Sequence, residues 1–484
     1  MRRTLVLAAC LMATFMAAVE SSIIATAMPT IVADLGGFNL FSWVFAVYLL
    51  TQAVSIPVYG RLADIYGRKA VFYAGAGLFL VGSTLCGFSR SMVMLILFRA
   101  LQGFGAGGVQ PIATTILGDI YTPTERAHVQ GLVSSIFGIA AVLGPLLGAF
   151  LVEQVNWQLV FWINIPIGIA AIAMIAAFLQ EPMEHHPRRI DYAGSLLLML
   201  SITALMLVLV QGGSLPYPAL ASLGLICLAM LMALAMHESS TSEPMLPLDL
   251  WRQHRIIAVG SFGGAVISAV MTGVSAFLPT YVQGAMGRSA LAGGLVLGAM
   301  SVTWAIASFL GGRLMVRTTY RLTATLGTLA LIAGSAVLIT LTPARGTLWA
   351  SSGSLLIGIG MGLCNTTFIV SIQAAVPWHQ RGAATSSCMF LRFVGQSLGA
   401  AAFGAVLNLT LLHRAPEAAD MVNRLLEPSQ RDALPAAELA RLIDVVAQGL
   451  HNTYLLAGVL SVAALGFALL LPARLSPAMQ GRKT

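Results

Sequence analysis

Long apolar segments separated by short polar loops make up most of this 484-residue chain. A helix needs about 20 mostly apolar residues to cross the hydrocarbon core of a bilayer. The pattern predicts fourteen such helices, near 5–33, 40–59, 70–89, 92–117, 128–152, 158–179, 193–211, 219–236, 257–280, 291–311, 322–341, 348–371, 383–409 and 453–472. The sequence therefore predicts an all-α polytopic membrane protein.

The composition supports this prediction, since 58% of the residues are hydrophobic and 9% are charged. Soluble domains carry about 25% charged residues, so this chain has too few charges to cover a water-exposed surface. The net charge of +8 would raise nucleic acid as a partner of a soluble protein. Here the basic residues are interpreted as marking cytoplasmic loops, and no nucleic-acid partner is expected.

The distribution of basic residues predicts the orientation. Most of the 26 lysine and arginine residues fall in the loops on the side of both termini, and such loops are cytoplasmic. The first residues resemble a signal peptide, but the apolar run continues to about Val32, which predicts a retained first span. The five cysteines lie in apolar runs without metal-ligand spacing, so no disulfide, metal or cofactor is expected.

The two ends of the chain resemble each other. Gly60–Leu62 recurs as Gly312–Leu314, and Gly144 and Gly148 recur as Gly395 and Gly399 at nearly the same offset. Duplicated membrane units with a site between them are a transporter architecture. The predicted domains are a six-helix bundle at 1–182, a linker with two further helices at 183–250, and a second six-helix bundle at 251–484.

One long outer loop is predicted at about 410–452. It contains several acidic residues, and Pro435–Ala440 has the pattern of the start of a short amphipathic helix. The preferred interpretation is an extracytoplasmic cap, and a partner-binding element is the alternative.

The loop after the second predicted span carries a glycine-punctuated charged motif. Gly60 and Gly67 favour a tight turn, and Asp64 stands close to the cations Arg68 and Lys69. A loop that only directs topology would not need Asp64 or both glycines, although that interpretation stays open.

This motif resembles the signature loop of the major facilitator superfamily. Leu95–Gly107 resembles the fourth-helix motif of that superfamily, and Ala140–Ala149 is similar to its fifth-helix antiporter motif, with alanine at the first and last small positions. Thr26–Val32 and Arg189–Gly194 resemble the fourteen-helix drug:proton antiporters of the EmrB/QacA type. The resemblance implies a major facilitator fold in a bacterial cell membrane and proton-coupled drug export.

Two of these motifs suggest moving parts. Gly144 and Gly148 allow close helix packing, and Pro145 removes a backbone hydrogen bond and kinks its helix. The kink either couples proton movement to transport or only serves packing. Asp64 is predicted to bind the positive end of the thirteenth span, near Gly382, as a latch of the outward-open state.

Glu20 is the acidic residue that lies deep inside a predicted span, and Arg99 is the matching buried cation. Charges at the bilayer centre are costly and usually functional. A low dielectric favours the protonated form of a carboxyl, so Glu20 could carry a proton. Two alternatives stay open: Glu20 pairs with a cationic substrate, or it forms a structural ion pair with Arg99.

Five further residues are candidates for a substrate cavity: Tyr48, Gln102, Asn365, Arg392 and Gln396. Lining a cavity and bonding one helix to another are both compatible with their positions.

The predicted function is proton-driven export of hydrophobic or cationic compounds. Export of an endogenous metabolite, siderophore or lipid is the alternative, and a non-transporting membrane sensor is a more distant one. No nucleophile–base set or phosphate-binding loop is visible, so neither an enzyme nor ATP-driven transport is expected. The predicted partners are the substrate, protons and lipid, and we expect a monomer that could work with a periplasmic adaptor.

Overall fold

The computed structural model describes residues 2–121, 123–180, 191–211, 215–241, 248–376, 381–414, 425, 431 and 433–472, and the regular elements in these ranges are helices. The helices of the first half are α1 (Arg2–Leu35), α2 (Phe41–Tyr66), α3 (Arg68–Gly87), α4 (Met92–Ile120), α5 (Pro123–Gln154), α6 (Leu159–Trp162) and α7 (Asn164–Phe178).

The central pair is α8 (Tyr192–Gln211) and α9 (Tyr217–Ser240), followed by the short α10 (Leu248–Gln253). The helices of the second half are α11 (Arg255–Thr280), α12 (Ala290–Arg317), α13 (Tyr320–Ile339), α14 (Gly346–Ala375), α15 (Arg381–Arg414) and α16 (Ala436–Leu470).

Twelve segments within the described residues are long and apolar enough to cross a membrane. The predicted spans at 128–152 and 193–211 fall in α5 and α8, where the apolar segments are the shorter Val142–Gln154 and Ala193–Leu209. The chain is thus an all-helical, multi-pass membrane protein with twelve candidate spans.

The signature motif lies mostly in a helix, which corrects one sequence prediction. α2 continues to Tyr66, so Gly60 is helical, and a Cβ added there would meet open space. Gly67 alone makes the turn to α3, with φ 87°, a conformation that a residue without a Cβ adopts readily. The turn is shorter than predicted because α2 continues through Gly60 to Tyr66.

The predicted outer loop at 410–452 is also wrong in its extent. α15 reaches Arg414, and α16 begins at Ala436 and runs without interruption into the last span. Leu442, Val446 and Leu450 are buried at helical spacing, so this amphipathic segment packs on the second half. Residues 415–424 and 426–430 lie outside the described part, and the cap stays a prediction.

The two halves meet along α2 with α15 and α5 with α12. Several contacts lie near the end of the molecule where α1 ends and α2 begins. Gln283 Nε2 donates to the Thr26 carbonyl at 3.2 Å, and Asn408 Nδ2 donates to the Asn39 carbonyl at 2.8 Å. The Phe41 and Phe277 rings are 5.0 Å apart. This end of the molecule is therefore closed between the halves.

Candidate functional site

A buried ion pair lies in the first half. Arg99 Nη1 on α4 is 2.5 Å from Glu20 Oε1 on α1, and the two side chains are buried. Arg99 Nη1 also donates to Gln102 Oε1 at 2.6 Å, and Arg99 Nε donates to the Val44 carbonyl at 3.3 Å. The Arg99 guanidinium lies 3.9 Å above the centre of the Tyr48 ring. Four residues singled out in the sequence therefore form one cluster.

The second carboxylate oxygen has its own partner. Asn164 Nδ2 donates to Glu20 Oε2 at 2.5 Å and to Ser83 Oγ at 3.2 Å. The predicted sixth span divides into α6 and α7, and Asn164 is the first residue of α7. Ser83 Oγ also accepts a hydrogen bond from Gln102 Nε2 at 3.1 Å and donates to the Phe161 carbonyl at 2.8 Å.

Sequence reasoning missed Asn164 and Ser83. An asparagine within a predicted span was the available signal, because an amide in the membrane needs partners. Serine gave no signal, since its hydroxyl can bond to the backbone of its own helix. In the structure Asn164 and Ser83 orient the two ends of the ion pair.

The cluster joins five of the helices of the first half, α1 to α4 and α7, and the Arg99 cation neutralises the Glu20 carboxylate. Both of its oxygens accept hydrogen bonds. A proton that binds Glu20 would remove the charge that balances Arg99, and an unbalanced buried charge is costly. Protonation of Glu20 therefore requires Arg99 to find another partner, which ties proton binding to a rearrangement. The ion pair is present; its proton-coupling role stays a prediction.

The glycines of the fifth-span motif make close helix contacts. A Cβ at Gly144 would overlap Ser22 Oγ of α1, and one at Gly148 would lie 2.8 Å from the Ile23 carbonyl oxygen. On the other side, a Cβ at Gly294 of α12 would lie 2.8 Å from the Pro145 carbonyl oxygen. The segment of α5 around Pro145 thus contacts both halves, and the predicted kink and its coupling role stay predictions.

The cations of the signature motif bind within the first half. Arg68 Nε is 2.7 Å from Asp119 Oδ2 at the end of α4. Lys69 Nζ donates to the carbonyls of Ala176 and Leu179 at 2.8 and 2.9 Å, where a cation favours the negative end of α7. The structure does not describe the side chain of Asp64 or the surroundings of Gly382, so the latch stays a prediction.

The remaining candidates lie apart from the ion-pair cluster, on α14 and α15. Asn365 and Arg392 are half-buried, and Gln396 is buried. Arg392 Nε is buried without a hydrogen-bond partner. The structure therefore divides the five cavity candidates, because Tyr48 and Gln102 belong to the cluster of Glu20 and Arg99.

A second buried acid lies near the end of α9. α9 extends to Ser240, beyond the predicted boundary at 236, and Glu238 is 4% exposed. Beside it, His237 Nε2 lies 2.7 Å from Asp191 Oδ1, which also accepts from the Gly194 amide at the start of α8. These contacts join the ends of the central pair.

Comparisons with known proteins agree with this architecture. The profile of the Major Facilitator Superfamily matches residues 10–400. Multidrug transporter protein MdtP of Bacillus subtilis (strain 168) is 34% identical over 458 residues, 93% of this chain and 83% of that protein. Multidrug resistance protein 3 of the same organism is 31% identical over 465 residues, 92% of this chain and 91% of that protein.

A crystal structure of a bacterial homologue of the human lysosomal transporter Spinster, inward-facing and unoccupied, has a similar fold. Its TM-score is 0.73 with 18% sequence identity, and the match covers 98% of this chain and 99% of that one. At this identity the match shows the fold alone.

Proposed function

Because the chain belongs to the major facilitator superfamily, we propose that it is a proton-coupled antiporter that exports hydrophobic or cationic drugs by alternating access. The observation that carries the proposal is the Glu20–Arg99 pair buried inside the first half. A membrane protein maintains such a costly pair most often for transport or proton movement. The names of the two bacterial relatives support multidrug export.

We place the protein among the fourteen-helix antiporters of the EmrB/QacA type, with α8 and α9 as the additional pair. α8 packs against α2 and α15, and Ser397 Oγ of α15 approaches the Met206 sulfur of α8 at 3.8 Å. α9 has exposed apolar side chains, including Leu225, Leu228 and Met236, as expected for a lipid-facing helix. This placement supports two spans between the halves.

The proposed setting is the cytoplasmic membrane of a bacterium, with both termini in the cytoplasm. In this orientation the closed end of the molecule faces outward, and the binding region opens inward. Substrate then enters from the cytoplasm, and the halves rock to release it outside while Glu20 takes up a proton. Protons, the exported compound and lipid are the proposed partners of a monomer, with a periplasmic adaptor as an additional one.

Export of a lipophilic cation tests this function. We expect cells that express the protein to accumulate less of a cationic dye, and a protonophore to abolish the difference. In proteoliposomes with an imposed pH gradient, the wild type should move the dye and Glu20→Gln should not. Unchanged accumulation across a broad dye panel would favour a dedicated exporter of an endogenous metabolite.

Replacing the proline of the fifth-span motif tests the coupling role of the kink. We expect Pro145→Ala to reduce the export rate several-fold while the melting temperature changes by only a few degrees. Alanine restores a backbone donor, so α5 can straighten where Pro145 faces Gly294. The rate is measured in proteoliposomes, and full export by Pro145→Ala would leave the kink with a packing role only.

A further inference from the structure

The protein holds a second arginine inside the membrane-spanning region, and its surroundings differ from those of Arg99. Arg99 contacts a carboxylate, an amide oxygen, a carbonyl and an aromatic ring. Among the described side chains, Arg392 on α15 has no ion pair and no hydrogen bond, and its Nε is buried without a partner. Arg99 is thus neutralised, whereas the half-buried Arg392 has no such partner among the described side chains.

The helices α11 to α15 of the second half contain no acidic residue. No aspartate or glutamate occurs between Leu250 and Pro416, a stretch that contains α11 to α15 entirely. The Glu20 carboxylate of the first half is already engaged by Arg99 and Asn164. Among the described side chains Arg392 has no acidic partner, so water or a ligand can supply one.

The position of Arg392 on its helix indicates which space it faces. Gly395 and Gly399 lie against Ala265 and Ala269 of α11, where an added Cβ would meet the α11 backbone. Ser397 Oγ donates to a carbonyl of α2 at 2.7 Å. At about 100° per residue, Arg392 lies on the sector of α15 between α11 of the second half and α2 of the first, nearer to α11, where its stem lies beside Gly264.

Two further polar groups lie at this level. Gln396 is one turn beyond Arg392, and Ser268 of α11 is one turn beyond Gly264, which contacts the Arg392 stem. The pairing of Ala265 with Gly395 and Ala269 with Gly399 shows that α11 and α15 run in the same direction, so Ser268 lies within one helical turn of the level of Gln396. The Ser268 hydroxyl is buried and has no hydrogen-bond partner.

We propose that Arg392, with Gln396 and Ser268 beside it, binds an acidic group of the exported compound. A guanidinium, an amide and a hydroxyl supply donors to a carboxylate, and arginine binds carboxylates with two parallel hydrogen bonds. The substrate class is then an amphiphilic carboxylate or zwitterion, in addition to lipophilic cations. This proposal rests on the proposed export function and names one subsite of its binding region.

A pair of dyes that differ only at the acidic group tests the subsite. Rhodamine 19 has a free carboxylate, and rhodamine 6G is its ethyl ester. We expect the purified wild-type protein to bind the acid about tenfold or more tightly than the ester, the range for hydrogen bonds to charged groups, as measured by fluorescence anisotropy. Arg392→Gln should abolish the preference for the acid, and Arg392→Lys should retain part of it because lysine binds as a point charge.

Arg313→Gln is the matched control, because Arg313 is an exposed cation of α12 whose guanidinium lies 4.3 Å above the Phe309 ring. It should leave the preference unchanged. Equal binding of acid and ester by the wild type, or a preference that survives Arg392→Gln, would overturn the subsite.

A second measurement covers the case in which neither dye binds. The shift in melting temperature caused by aromatic acids and by their methyl esters is then compared. The proposal is wrong if no acid raises the melting temperature of the wild type more than that of Arg392→Gln. Failure of export itself gives a different result, since rhodamine 6G, a lipophilic cation, would then not be exported by any variant.

Discussion

Replacing Glu20 with glutamine should abolish proton-driven export and destabilise the protein. The Arg99 guanidinium is 1% exposed, and in this variant it would lose its carboxylate partner. Removing one partner of a buried pair costs about 3–5 kcal/mol. Thermal unfolding of the purified protein in detergent measures the stability, and dye transport in proteoliposomes with an imposed pH gradient measures coupling.

The double variant Glu20→Gln/Arg99→Gln separates the two roles of the pair. Removing both charges should recover much of the lost stability, because the unpaired charge is gone. Transport should stay absent, since no group remains to carry the proton. If the double variant exports normally, the pair is structural and the coupling role is refuted.

Glu438→Gln provides a matched control for the loss of one acid. Glu438 lies in the first turn of α16, far along the chain from the ion-pair cluster. This variant should keep both the melting temperature and the export rate of the wild type.

Replacing Gly105 with alanine should strongly reduce the amount of folded protein. A Cβ at this position would overlap the Phe79 amide nitrogen and lie 2.8 Å from the Gly75 carbonyl oxygen. These are backbone atoms of α3, so relief requires the two helices to separate. Overpacking costs about 1–3 kcal/mol, and separating α3 from α4 would also disturb Ser83 and Gln102, which bond across that contact at 3.1 Å.

Gly118→Ala on the same helix is the matched control. A Cβ there meets nothing within 4 Å, and alanine is favoured over glycine in a helix by about 1 kcal/mol. The yield of monodisperse protein and the melting temperature should fall for Gly105→Ala and stay equal or rise for Gly118→Ala. Equal behaviour of the two variants would contradict the close contact between α3 and α4.

The charged residues of the site were predictable because placing a charge inside a membrane costs free energy. Glu20 and Arg99 lie in apolar segments, where a charged residue is usually functional, and the structure brings them together. Asn164 gave only the signal of an amide within a span, and Ser83 gave none, because the role of small polar side chains in membrane helices depends on partners on other helices.

The errors in element boundaries have a related cause. The length of an apolar segment indicates where a helix meets lipid, but it does not indicate where the helix ends. α2 continues to Tyr66, α9 to Ser240, and α16 begins at Ala436, well before the last apolar segment. In each of these regions polar residues continue the helix, so the predicted loops were too long.

The sequence by itself determined the class of the protein, its apolar helices and the residues whose burial needs an explanation, because the bilayer makes charge costly wherever it occurs. Only the tertiary structure decided which charges neutralise one another. Arg99 and Arg392 look alike in the sequence, as single arginines in apolar helices. Packing brings a carboxylate to Arg99, while none of the described side chains brings one to Arg392, because partners across helices depend on which faces meet.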